Sequence, residues 1–105
     1  MSVRFAPGAR NDIVEANAWW RENRPDAPDL MATELADAFR ALPNAAHALP
    51  LFRRVDRLEV RRHHVPRVHR HVYFHLAGDD IVVLSVWGAV RAVLPRLRHR
   101  IRAKQ

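Results

Sequence analysis

Cysteine is absent. That excludes a disulfide framework, a thiol nucleophile and a thiolate zinc site. Glycine is scarce. Gly8, Gly78 and Gly88 stand far apart, so no glycine-rich loop can cradle a phosphate. The two serines, Ser2 and Ser85, sit in no nucleophile-elbow motif. No apolar run approaches the ~20 residues that span a bilayer. Met1 to Arg10 lacks the apolar centre of a secretory signal. A cytoplasmic protein with no membrane partner and no cofactor is therefore expected. Lysine is nearly missing as well: only Lys104 breaks a run of arginines.

What is present is an ordinary globular balance. The chain has 105 residues, 49% hydrophobic and 28% charged, enough for one domain over residues 1–105. The charge is unevenly spread. Residues 1–42 hold five basic and seven acidic groups, a net of −2; residues 43–105 hold thirteen and four, a net of +9. Arg suits bidentate recognition of phosphate or carboxylate. Two readings of the Arg excess stand side by side: the coding bias of a GC-rich genome, and a polyanionic or acidic partner for the C-terminal half.

Periodicity sets the elements. Val3 and Phe5 begin an extended segment that ends at Pro7-Gly8. Ala9, Ile13, Ala16 and Trp20 recur at helical spacing, predicting a helix from Ala9 to Asn23. Asp12 and Glu15 lie near its N-terminus, where the helix dipole favours them. Asp26 is the expected N-cap of a second helix with a stripe of Leu30, Met31, Leu35, Ala38, Phe39 and Leu42, stopped by Pro43. The short join predicts a helix hairpin. Residues 43–52 read as a connector. From Arg57 the period is two, with Val68 to Leu76 as the next strand and Ala77-Gly78-Asp79-Asp80 as a hairpin turn. Ile81 to Trp87 reads as a strand buried on both faces. The basic stretch at about 92–105 is open between a frayed arm and a short helix. The expected fold class is α+β: an N-terminal β-strand, an antiparallel helix hairpin and a three-stranded antiparallel meander, in a two-layer sandwich.

Ordered stretches of this chain resemble the RelE/ParE superfamily of type II toxin–antitoxin toxins, also called plasmid stabilisation proteins. They are Ala9 to Ala16 running into Trp19-Trp20-Arg21-Glu22-Asn23 and Arg24-Pro25; Leu30 to Leu42 ending in Pro43; and Val60-Arg61-Arg62, Val72-Tyr73-Phe74 and Asp80 to Trp87, ending at Arg91. The resemblance implies a growth-inhibiting toxin held in a hetero-oligomer by a cognate antitoxin. It also implies one of two targets. ParE-like members inhibit DNA gyrase; RelE-like members are endoribonucleases that cleave mRNA on the ribosome. Three departures favour ParE: Gly88 stands where many relatives carry His, no Tyr follows Tyr73, and the sheet has no Lys. Gly88 also leaves room for a degenerate, non-toxic relative.

The candidate binding residues, for target or antitoxin, are Arg61, Arg62, Arg70, His71, Arg91, Arg96 and Arg98. Arg62, Arg70 and Arg91 are catalytic candidates only under the nuclease reading, since Arg stays protonated and makes a poor general base. Arg70 and Arg91 match positions where many family members carry Arg. His63, His64, His69, His71 and His75 form a conspicuous series. No carboxylate is placed to complete a ligand set beside them, so no metal is expected and a solvated or antitoxin-covered face is. Trp20 belongs to the core face, Trp19 lies half exposed, and Trp87 is expected to pack near the helix hairpin.

Overall fold

A computed structural model describes residues 1–89 and 94–103. The elements run β1 (Ser2–Phe5), α1 (Pro7–Asn23), α2 (Leu30–Ala45), β2 (Leu51–Val55), β3 (Leu58–Val65), β4 (Arg70–Ala77), β5 (Asp80–Gly88) and α3 (Leu97–Arg102). One five-stranded sheet has the order β1-β5-β4-β3-β2. β1 joins β5 in parallel; every other pairing is antiparallel.

The expected α+β class is found, with four antiparallel strands in the meander instead of three. The added strand is β2, whose first residues, Leu51 and Phe52, lie in the stretch that reads as a connector. Its pattern hides because a bulge between Leu51 and Arg53 places Phe52 and Val55, three apart, against the same core. Its turn hides because Asp56 and Arg57 take positive φ (48° and 68°) without Gly or Asn. Gly78 (φ 60°) makes the β4–β5 turn that the sequence announces.

Helix α2 continues past Pro43 to Ala45. Pro forfeits one backbone hydrogen bond, but its fixed φ is itself helical. The buried stripe Met31, Leu35, Ala38, Leu42 and Ala46 continues through it, so burial outweighs the lost bond. The same helix begins at Leu30 with Asp29 at its N-cap, not Asp26, because residues 24–29 are tied as a turn. Trp20 Nε1 donates to Ala27 O at 2.9 Å, and Arg21 pairs with Asp29 at 2.8 Å.

The sheet buries apolar side chains on both faces. Val72, Phe74, Ile81, Val83 and Val86 meet α1 and α2. Val60, Tyr73, Val82 and Leu84 form a second core, closed by Leu97 and Ile101 of α3. Of the two open readings of the basic tail, the helix is found. Trp87 packs against this second core, opposite His71 on the α3 side of the sheet, and also borders a groove beside α1 of the hairpin.

One polar contact holds the layers in register. β1 ends opposite Val83, so on that edge β5 has no strand beside Leu84 to Val86. Asp12 of α1 fills that place. It accepts from Ser85 Oγ at 2.9 Å, from Val86 N at 3.0 Å, and from Arg100 Nη1 and Nη2 at 2.8 and 3.1 Å. Arg100 also donates to Leu84 O at 3.0 Å. Its side chain crosses Gly8 so closely that a Cβ there would stand 2.3 Å from Arg100 Cδ.

Removing one partner of a buried ion pair strands the other. Asp12→Ala is expected to cost about 3 kcal/mol, a Tm drop of more than about 10 °C in a chain this size. Gly8→Ala removes no charge, yet must displace Arg100; it is expected to lower Tm by a smaller, clearly measurable amount. A thermal melt in which Gly8→Ala is neutral would show that Arg100 is not held across Gly8.

Candidate functional site

The predicted site residues do not gather in one place. Arg62 and His71 share the α3 side of the sheet. Arg62 lies opposite Tyr73, and His64 lies opposite His71. The Arg62 guanidinium sits 4.7 Å from the Phe52 ring centroid. The His64 and His71 rings meet edge to face at 4.9 Å. His71 in turn lies opposite Trp87. Arg62, His64, His71 and Trp87 therefore form one patch on the part of this face that Leu97 and Ile101 leave uncovered.

Arg61 points to the other side and holds the fold. Its Nη1 donates to Leu49 O at 2.7 Å and to His47 O at 3.3 Å, pinning the segment after α2 to β3. Arg70 lies at the end of β4, opposite Gly88. Its guanidinium is 5.9 Å from the Trp19 ring, and its Nη1 reaches Val68 O at 3.2 Å. A groove of about 420 Å³ runs beside it, lined by Asp12, Glu15, Trp19, Arg70, Trp87 and Gly88. Trp19 is 46% exposed there, as its place on the helix predicts. Arg96 and Arg98 flank a third region, between β2 and α3. Arg91 lies outside the described residues.

Tyr73 is 1% exposed, beneath the Phe52 ring at 5.1 Å. It is a core residue with no access to a reacting molecule. Among the described residues, no carboxylate is bonded to Arg62, His64 or His71, and no group of three His, Asp or Glu side chains could hold a metal ion.

The histidine series is split as well. His69 leaves the ladder in a left-handed conformation (φ 53°). Burial lowers the pKa of His63, His71 and His75 below the usual 6.5; His64 lowers His63 further, Arg62 and His64 lower His71, and Arg4 lowers His75, where a Leu76 carbonyl opposes the shift. These rings are neutral at neutral pH, which suits contact surfaces and a base more than a cationic clamp.

Asp12, Ser85 and Arg100, which organise the region, are not among the site residues expected from the sequence. The signals were there. Asp12 falls in the stripe Ala9, Asp12, Ala16, Trp20, so an acid occupies a core position. Ser85 interrupts an otherwise apolar strand. A buried acid and a buried hydroxyl each need a partner.

The chain matches the family model described as the ParE toxin of the type II toxin–antitoxin system parDE, over residues 3–93. It is similar in fold to a chain of a solved chromosomal ParDE toxin–antitoxin system from P. aeruginosa, with a TM-score of 0.71 and 17% identity, covering 84% of this chain and 95% of that one. No curated protein matches in sequence.

A pH dependence follows from the histidines. A base whose folded pKa is lowered binds its proton more readily in the unfolded chain. That stability is fully present above the unfolded value of 6.5 and is lost as pH falls below it. Tm is expected to fall between pH about 7 and pH about 5, and His75→Gln to flatten the slope. A Tm that is level across this range would contradict the burial of these rings.

Proposed function

Because this chain belongs to the ParE toxin family of type II toxin–antitoxin systems, we propose that it inhibits DNA gyrase by binding it, without nuclease chemistry, and is neutralised by a cognate antitoxin. Membership of the family implies the antitoxin. The target rests on the character of the patch on the α3 side of the sheet. The observation that carries the reading is the burial of Tyr73 beneath Phe52 beside an Arg62 that stacks rather than pairs. RNA cleavage by 2′-OH attack needs a base, an acid and charge stabilisation. Here the one tyrosine is closed off and the adjacent cation is parked on a ring. A half-buried Arg bordered by aromatic rings is instead what protein-binding hot spots are made of.

The target surface in this reading consists of Arg62, His64, His71 and Trp87. Arg70 and the Trp19 ring form a neighbouring contact around the β5 edge. Arg91 stands as a further candidate from the family pattern alone. The antitoxin neutralises the toxin by covering one or both of these regions, and the net charge of +7 favours an acidic covering segment.

One observation favours the ribonuclease alternative. His64 and His71 face each other at 4.9 Å beside Arg62, and a His71 kept neutral by burial can accept a proton. A paired assay on purified protein separates the readings: gyrase supercoiling beside cleavage of mRNA on programmed ribosomes. Loss of supercoiling with intact mRNA is expected. Arg62→Glu is expected to weaken inhibition about 10-fold or more, as for a hot-spot Arg, with little change in Tm. Cleavage of ribosome-bound mRNA that disappears in His71→Ala would replace the gyrase reading with the nuclease one. No response in either assay would make this a degenerate relative.

A further inference from the structure

The groove between β2 and α3 is strongly cationic. It measures about 540 Å³ and is lined by Arg53, Arg54, Arg96, Arg98, His99 and Arg102 around a floor of Val55, Pro95 and Leu97. Two of its cations are held ready. Asp56, at the β2–β3 turn, takes the Nε of Arg98 at 2.9 Å on one oxygen and the Nε of Arg102 at 3.4 Å on the other. The hydrogen bond from Arg98 keeps the Asp56 carboxyl below its usual range, against a weaker desolvation, so the carboxylate stays charged.

Both pairs use Nε. Arg98 and Arg102 stand one helical turn apart on α3, and both side chains remain largely exposed (61% and 69%). Four residues of helical rise set them about 6 Å apart, a spacing that suits successive phosphates along one strand. Arg53 and Arg96 have no carboxylate partner among the described residues. Arg53 lies over the Phe52 ring at 4.8 Å, and Arg96 is exposed at the head of α3. Arg54 is paired with Glu59 at 2.9 Å and adds less.

We propose that this groove binds the phosphate backbone of a nucleic-acid duplex, through Arg53, Arg96, Arg98 and Arg102. Guanidinium forks match phosphate oxygens two by two. The lining holds no Phe, Tyr or Trp ring on which an unpaired base could stack. Contact is therefore with the backbone and indifferent to base sequence. A second copy of this chain would bring a like-charged groove and is repelled.

The test is fluorescence anisotropy of the full chain with a labelled DNA duplex, titrated at several salt concentrations and with no gyrase present. The outcome is then independent of the gyrase reading. Four neutralised phosphates predict a slope of log K against log salt of about −3.6. Arg53→Ala combined with Arg96→Ala is expected to reduce that slope by about 2. Neither side chain takes part in the Asp12 or Asp56 contacts, so the fold survives. Arg10→Ala combined with Arg24→Ala removes equal charge from another part of the surface and is expected to leave the slope unchanged. Equal losses in the two double variants would overturn the proposal, because overall charge alone would then explain binding. Tighter binding of the single strand than of the duplex would overturn it. So would displacement of the duplex by a polyglutamate peptide of equal charge, which would assign the groove to an acidic protein partner.

Discussion

A single carboxylate decides how the layers of this protein meet. Asp12 is 8% exposed and gathers four hydrogen bonds from two other parts of the chain, 73 to 88 residues away. A carboxylate in that position is costly unless every oxygen lone pair finds a donor. The surroundings supply them. The β5 strand runs past the end of β1 and leaves the Val86 N–H unused; Ser85 turns its hydroxyl the same way; Arg100 brings the countercharge. The bulge between β4 and β5 places Leu84 and Ser85 opposite Tyr73 alone, and the Leu84 carbonyl goes to Arg100. Gly8 follows from this arrangement, since only a residue without Cβ leaves room for the guanidinium stem.

The second core depends on the first contact. The α3 helix has six residues, too short to persist by its own hydrogen bonds. Leu97 and Ile101 plug the sheet, Arg100 reaches around its edge to Asp12, and Arg98 and Arg102 reach the β2–β3 turn at Asp56. Burial and two sets of ion pairs do what propensity cannot. With α3 in place, β5 is covered on both faces, which is why its sequence from Ile81 to Val86 is apolar apart from Ser85.

Much of this was legible in the sequence. The hairpin, the doubly buried last strand and the α+β class follow from periodicity alone, and the ordered stretches from Ala9 to Trp87 resemble the family that the whole-chain comparison identifies. What was hidden has identifiable causes. β2 lost its alternation to a bulge and its turn to two non-glycine residues at positive φ. The run of helix beyond Pro43 reflects tertiary burial overriding a local breaker. Adjacent candidates do not make one site, because strand alternation sends Arg61 and Arg62 to opposite faces. A two-residue period was visible; which face the third helix covers was not, because that depends on the long-range pairing of Arg100 with Asp12.

The division of labour within α3 bears on how the C-terminal segment should be interpreted in any functional experiment. Helical spacing puts Leu97, Arg100 and Ile101 against the sheet and its edge, and Arg98 and Arg102 at the rim, on Asp56 of the β2–β3 turn. Deleting the segment removes both sets at once. It would uncover Tyr73, Val60 and Leu84 and leave Asp12 without its cation, so the Arg62–His71–Trp87 patch on the same face would lose its support. Loss of toxicity after truncation therefore says nothing by itself about contact between the tail and a target. Substitution of the exposed Arg96, with Leu97, Arg98, Arg100 and Arg102 kept, separates recognition from architecture, because Arg96 makes none of the ion pairs that hold α3.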